Sequence, residues 1–190
     1  KVDICCGGID NRLMHHDYNI AIMESYSGED FCPYWLHGHH LFVDGKKMSK
    51  RKGNILYIED LLKKGYSTRE IRFFLVYSQY SKKMNFTFSK FDRTKKKLNE
   101  FVRMINYLLI KNNSRESSPN VHILLNELSK SFEVEMGNDL NVKNAFDSIS
   151  LIVKKLYLLK KKGMVSDKDS EIISNKMHKI DGVLQVIFTN

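Results

Sequence analysis

Three cysteines in 190 residues, Cys5, Cys6 and Cys32, are too sparse and too oddly numbered for a disulfide framework. They suit a reducing, cytoplasmic compartment. No apolar run approaches the roughly 20 residues that a membrane-spanning helix needs, and no signal-peptide pattern opens the chain. There is no internal repeat and no low-complexity tract. Acid is in short supply: 22 Asp and Glu stand against 31 Lys and Arg, a net charge of +9. That balance favours an anionic partner, whether phosphate, nucleic acid or acidic lipid. What is present is apolar material, 42% hydrophobic and 11% aromatic residues, which is enough to bury a core and excludes disorder by composition. The length allows one large domain or two small ones.

The first part of the chain mixes strand and helix. Residues 2–6, "VDICC", read as an apolar strand running into a Gly-Gly turn. In "LMHHDYNIAIMESYSG" the apolar spacing predicts a helix that stops at Gly28. "YWLHGHHLFV" is aromatic and β-branched and predicts one or two strands. "YIEDLLKKG" predicts a short helix ended by Gly65. Ser67 and Glu70 have capping-box spacing ahead of a helix whose inner face is expected to carry Ile71, Phe74, Leu75 and Ser78. From Ser89 onward the pattern is helical throughout. Leu98, Phe101, Val102, Ile105, Leu108 and Leu109 form one stripe, and Phe146, Ile149, Val153 and Leu156 another. "NNSRESSPN" reads as the clearest loop, and a last helix is expected over about 168–187. The expected boundary divides an α/β part, residues 1–86, from a helical bundle, residues 87–190. The chain opens in the middle of a strand motif, which predicts that it is the C-terminal part of something longer.

The strongest local signal is "DGKKMSKRKGNI", residues 44–55. It carries five basic residues interrupted by Met-Ser and closed by Gly-Asn, and it lies after strands and before a helix. Gly53 permits backbone conformations that other residues resist. Lys47 and Lys50 are three apart, so a bent loop can bring both ammonium groups to one phosphate chain, where they stabilise charge on a transferring phosphoryl or departing pyrophosphate. Taken alone, a basic loop of this kind is more often a solvated surface feature.

"KMSKRKGN" resembles the KMSKS motif of class I aminoacyl-tRNA synthetases. "DICCGGIDNRLMHHDYNIAIMES" is similar to the cysteinyl-tRNA synthetase pattern D-I-H-x-G-G-x-D…P-H-H-[ED]-N-E-I-A. "YWLHGHHLFVDGKKMSK", "EIRFFLVYSQYSKKMNFT" and "FEVEMGNDLNVKNAFDSI" resemble three further patches of the same family, in the same order. The resemblance implies an α/β plus all-α chain: the second half of a Rossmann-like nucleotide-binding domain followed by a helical bundle. It implies activation of cysteine with ATP and Mg2+ as cysteinyl-adenylate, release of pyrophosphate, and transfer to tRNA, by a cytoplasmic monomer with no membrane partner. Lys47 and Lys50 match the loop lysines that hold the ATP phosphates, with Met48 and Ser49 between them in the nucleotide-binding loop. Gly7, Gly8 and Asp10 match a turn that admits adenosine, with the carboxylate near the ribose.

Family members hold a zinc that grips the substrate thiol, and His15 falls on the histidine position of that site. Asn19 stands where the family has a glutamate, and an amide is a poor zinc ligand. The family's two zinc cysteines lie ahead of Lys1. The motif's fifth position, usually Ser, is Arg51, and the H-I-G-H motif is absent, so the 190 residues alone are expected to be inactive. These departures leave two alternatives: a paralog that joins cysteine to a small amine, and a non-catalytic RNA-binding fragment. The basic stretches 93–97 and 154–162 fit either RNA backbone contact or solvated helix faces. "HGHH" fits strand-end residues near the adenine pocket, or a metal cluster.

Overall fold

The computed structural model describes residues 2–114 and 117–188. The chain divides into two compact units, residues 1–56 with 80–87 and residues 57–79 with 88–190. The stretch 57–79, which the sequence groups with the α/β part, packs instead with the helical unit.

In the α/β unit, β1 (Ile4–Gly8) pairs in parallel with β2 (Tyr34–Gly38), from Ile4 opposite Tyr34 to Gly8 opposite Gly38. The connection between them carries a short 3-10 turn (Ile9–Asn11), a π-turn (Arg12–His16) and α1 (Asp17–Ser27). Gly28 ends α1 with φ of 71° and donates its N–H to the Glu24 carbonyl, as expected of a helix-stopping glycine. The first strand runs to Gly8 rather than stopping at Cys6. Gly7 and Gly8 are ladder residues, and the chain turns only after them.

A second sheet has the order β4-β3-β5, with β3 at Leu41–Val43, β4 at Lys46–Lys47 and β5 at Met84–Phe86. β3 and β4 form a hairpin in which Val43 faces Lys46. Its two turn residues, Asp44 and Gly45, both take positive φ, 47° and 78°, the geometry that matches the right-handed twist of paired strands. β5 lies parallel to β3.

The helical unit contains α2 (Ile58–Lys63), α3 (Thr68–Val76), α4 (Phe88–Leu109), α5 (Pro119–Gly137), α6 (Val142–Lys161) and α7 (Asp167–Leu184). Ser67 and Glu70 form the expected capping box at the start of α3, and Gly65 follows α2 with φ of 85°. The inner face of α3 differs from the expected one. Phe73 is buried beside Ile71 and Phe74, whereas Leu75 is 44% exposed. Phe73 is drawn inward by an aromatic cluster, with its ring 4.5 Å from that of Phe146. The two long stripes are buried largely as their spacing predicts: Leu98, Phe101, Ile105 and Leu108 on α4, and Phe146, Ile149, Val153 and Leu156 on α6. Val102 and Leu109 are only partly buried against that core. The loop read from "NNSRESSPN" leads into α5, which begins at Pro119; residues 115 and 116 lie outside the described residues. α7 stops at Leu184, short of 187, because the Asp181 carboxylate accepts the backbone N–H groups of Val186, Ile187 and Phe188.

Three carboxylates fix the helical unit, two by joining helices and one by capping α7. Glu70 accepts from the Ser67 N–H and from Asn99, with Lys95 at 3.4 Å. Asp147 on α6 accepts from the Tyr77 hydroxyl at 2.6 Å, from Lys143 at 2.8 Å and from Lys97. Asp169 accepts from the Ser166 N–H and hydroxyl. Burial works to raise each carboxyl, but these hydrogen bonds and cations overcome it and hold all three below the usual carboxylate range. A carboxyl lowered by folding adds stability above its unfolded value, and that contribution fades as pH falls through the lowered one. The helical unit is therefore expected to keep its stability down to about pH 4 and lose it progressively below. Thermal melts over that range check this. Asp147→Asn should be less stable at neutral pH and lose less on acidification than the unsubstituted chain.

Candidate functional site

The C-terminal ends of β1 and β2 point to one place, and in open α/β sheets ligands bind outside the carboxyl ends of parallel strands. Asp10 sits there on the 3-10 turn that follows β1. Lys47 reaches it from the end of β4, with its Nζ 3.8 Å from Asp10 Oδ2. His40, in the link between β2 and β3, lies between them: Nε2 is 2.9 Å from Lys47 Nζ and 3.4 Å from Asp10 Oδ2. Two of the residues singled out by the sequence are thus brought together by His40, which the sequence offered only as one histidine of "HGHH", without a link to Lys47 or Asp10.

The basic loop owes its shape to Asn54. Its side-chain carbonyl accepts the Ser49 N–H at 3.0 Å, and its amide donates to the carbonyls of Lys46 and Lys47 at 3.4 and 3.3 Å. Within this loop, Lys50–Lys52 make one 3-10 turn that Gly53 ends at φ of 65°. The Met48 N–H donates to the Leu41 carbonyl at 3.0 Å, which anchors the front of the loop to β3. Met48 and Ser49 are half-buried, while Lys50, Arg51 and Lys52 stand exposed on the turn. The structure does not bring Lys50 to Asp10 as it does Lys47. The closing Gly-Asn pair, visible in the sequence, is the signal that explains the loop: one residue supplies the left-handed turn, the other cross-links it.

Gly7 is fixed by its neighbours. A Cβ there would lie 2.5 Å from His16 Cε1 and 3.0 Å from Nε2. His16 is buried, 5% exposed, and its Nδ1 is 2.8 Å from His37 Nε2. Its ring centroid is 4.8 Å from that of Trp35, which itself stacks on His37. Burial, reinforced by His37 and His15, holds His16 below the usual histidine range, so it is neutral near pH 7. Gly7→Ala is expected to expel the His16 ring and break its bond to His37, at a cost of about 1–3 kcal/mol. Imidazole NMR signals of His16 and His37 together with a thermal melt check this. An unchanged melt and unchanged signals would contradict it.

His15 is exposed on the π-turn. Among the described residues no three His, Cys, Asp or Glu side chains converge as a metal site. Cys32 is buried and its thiol donates to the Tyr34 carbonyl. The residues present therefore do not fit zinc by themselves, and the metal-cluster reading of "HGHH" finds no support in them. His37 belongs to β2. His39 donates its N–H to the Tyr80 carbonyl at 2.8 Å, while its ring Nδ1 is buried with no hydrogen-bond partner.

The basic stretches are partly internal. Lys95 faces Glu70 and Lys97 faces Asp147. Lys160 is 4% exposed and donates to the Ser170 hydroxyl at 2.9 Å. No helix among the described residues is long and apolar enough to cross a membrane.

Residues 1–96 match the family model for the catalytic domain of class I (C) tRNA synthetases. Cysteine–tRNA ligases of Protochlamydia amoebophila and Chlamydia pneumoniae are each 35% identical to the chain over 98% of it, covering 39% and 40% of their own lengths. That of Brachyspira hyodysenteriae is 38% identical over 80% of the chain and 32% of its own length. The chain thus spans about two fifths of the length of the first two relatives. Among solved structures, an Agrobacterium radiobacter leucyl-tRNA synthetase in a ternary complex with tRNA aligns over 97% of this chain and 26% of its own, with a TM-score of 0.73 and 14% identity. A putative arginyl-tRNA synthetase from Campylobacter jejuni aligns over 97% of this chain and 46% of its own, with a TM-score of 0.61 and 13% identity. The fold is that of class I synthetases, an α/β part with a helical bundle.

Proposed function

The chain belongs to the class I (C) tRNA synthetase catalytic-domain family, and from that premise we propose that it is part of an ATP-dependent ligase that activates cysteine and transfers it to tRNA. The observation that carries this reading is the meeting of Asp10 and Lys47 at the ends of two parallel strands, beside a loop cross-linked by Asn54.

In this reading ATP binds over Gly7 and Gly8. A Cβ at Gly8 would lie 2.5 Å from Asp10 Oδ1, so the glycine leaves the carboxylate room to face the ribose hydroxyls. Lys47 holds the phosphates from the strand end. Lys50, exposed on its turn, closes onto them, while Met48 and Ser49 carry the loop between the two. A cysteine carboxylate oxygen attacks the α-phosphorus, the bond to the β-phosphate oxygen breaks, and pyrophosphate leaves. Charge grows on the departing group, and fixed ammonium groups lower that barrier more than they strengthen ground-state binding. Mg2+ accompanies the ATP phosphates. A terminal tRNA hydroxyl then attacks the adenylate carbonyl and releases AMP. Zinc ligation by His15 requires ligands from outside the described residues, and no step here depends on it. A cytoplasmic monomer is the matching cellular form.

The test is charging of tRNA with labelled cysteine by the intact protein that carries this chain. Acid-precipitable cysteine on tRNA is expected. Adenylate formation without charging, together with a cysteine–amine product, would instead assign the chain to an amine-joining paralog.

A further inference from the structure

His40 meets two charged neighbours through a single atom. Its Nε2 is 2.9 Å from Lys47 Nζ and 3.4 Å from Asp10 Oδ2, while Lys47 and Asp10 themselves stand 3.8 Å apart, beyond hydrogen-bond reach. A lysine ammonium only donates. The contact with Lys47 therefore needs a lone pair on Nε2 and the ring proton on Nδ1. A carboxylate only accepts, so a bond to Asp10 from a neutral ring needs the proton on Nε2. The two bonds exclude each other.

We propose that His40 is a positioning residue that alternates between Lys47 and Asp10, coupling the phosphate end of the nucleotide site to its ribose end. The inference rests on the nucleotide site proposed above. In the empty site Nε2 accepts from Lys47 and holds the ammonium 3.8 Å from Asp10, short of a hydrogen bond. When Lys47 moves to a polyphosphate, Nε2 loses its donor. The ring then takes the other tautomer, with one proton lost from Nδ1 to water and one gained at Nε2 from water. Net charge is unchanged, and the side chain, 25% exposed, has solvent access for the exchange. Nε2–H now donates to Asp10 and fixes the carboxylate that faces the ribose. Without an acceptor at position 40, nothing stands between Lys47 and Asp10. The two half-exposed groups, paired at 3.8 Å in the structure, close to hydrogen-bonded contact that occupies both, and nucleotide must break it to bind.

Two substitutions in the intact protein separate this from a packing role. His40→Leu removes both bonds. His40→Gln keeps them, since its amide oxygen accepts from Lys47 and its amide nitrogen donates to Asp10. In cysteine-dependent ATP–pyrophosphate exchange, His40→Leu is expected to raise KM for ATP about fivefold, the scale of one exposed ion pair, with kcat changed less than about twofold. His40→Gln should stay within about twofold of the unsubstituted protein in both. Imidazole 15N signals should show His40 with an unprotonated Nε2 when nucleotide is absent and a protonated Nε2 with an unreactive α,β-methylene ATP analogue. An unchanged KM in His40→Leu, a His40→Gln variant as impaired as His40→Leu, or one tautomer throughout would overturn the proposal. If the unsubstituted protein shows no exchange, the synthetase reading itself fails and takes this inference with it. Exchange that is present but indifferent to position 40 refutes only the inference.

Discussion

Lys50→Ala in the intact protein should slow cysteinyl-adenylate formation by a factor on the order of 10² in single turnovers, with a much smaller change in ATP affinity. Lys50 stands exposed on a 3-10 turn whose ends are fixed: Ser49 is bonded to Asn54, and Gly53 sits in the left-handed region. In the proposed reading a lysine so placed makes its contacts when the loop closes on phosphate, so the loss is expected on the chemical step rather than on the empty site. Lys47 differs, being already partnered by His40. Single-turnover activation and ATP binding, measured on the same variant, separate the two effects. Equal losses in affinity and rate would show that Lys50 only binds ground-state ATP.

The largest effect on stability is expected at Phe146. It is fully buried, and its ring lies 4.5 Å from Phe73, 4.7 Å from Phe101 and 5.8 Å from Tyr77. It therefore fills the space where α3, α4 and α6 meet. Phe146→Ala removes a ring whose neighbours are themselves large and cannot collapse into the gap. The cost is about 3–5 kcal/mol, about a fifth or more of the stability of an ordinary domain. Denaturant unfolding of the substituted chain checks it. A loss under about 1 kcal/mol would mean that the aromatic cluster repacks freely.

Much of this architecture is legible in the residues. The stripes on α4 and α6 are readable because a bundle helix repeats its apolar positions at helical spacing, and the Ser67–Glu70 box because it needs two side chains at a fixed offset. Three features are hidden for different reasons. Phe73 goes inward and Leu75 outward because tertiary aromatic packing overrides a nine-residue helix's own pattern. β5 is three residues long, and its pairing with β3 joins segments 43 residues apart in register, which no local signal encodes. The grouping of α2 and α3 with the helical unit likewise rests on long-range contacts, such as the Arg72 side chain donating to the Leu184 carbonyl.

The candidate site divides in the same way. Lys47, Lys50 and Asp10 stand out by motif. His40 does not, because "HGHH" offers three histidines and only the fold decides that the third reaches Lys47 and Asp10 while His37 reaches His16. Asn54 was visible as the close of the basic run, but its three bonds back to positions 46, 47 and 49 appear only once the loop is folded. His15 shows the converse. Its motif position is clear, yet the described residues around it supply no ligand set.

Whether the site activates cysteine is decided by ATP–pyrophosphate exchange by the intact protein with each amino acid offered in turn. Exchange is expected to depend on cysteine, to be lost with Lys47→Ala, and not to be supported by serine. Exchange with another amino acid in preference to cysteine, or exchange unaffected by Lys47→Ala, would contradict it.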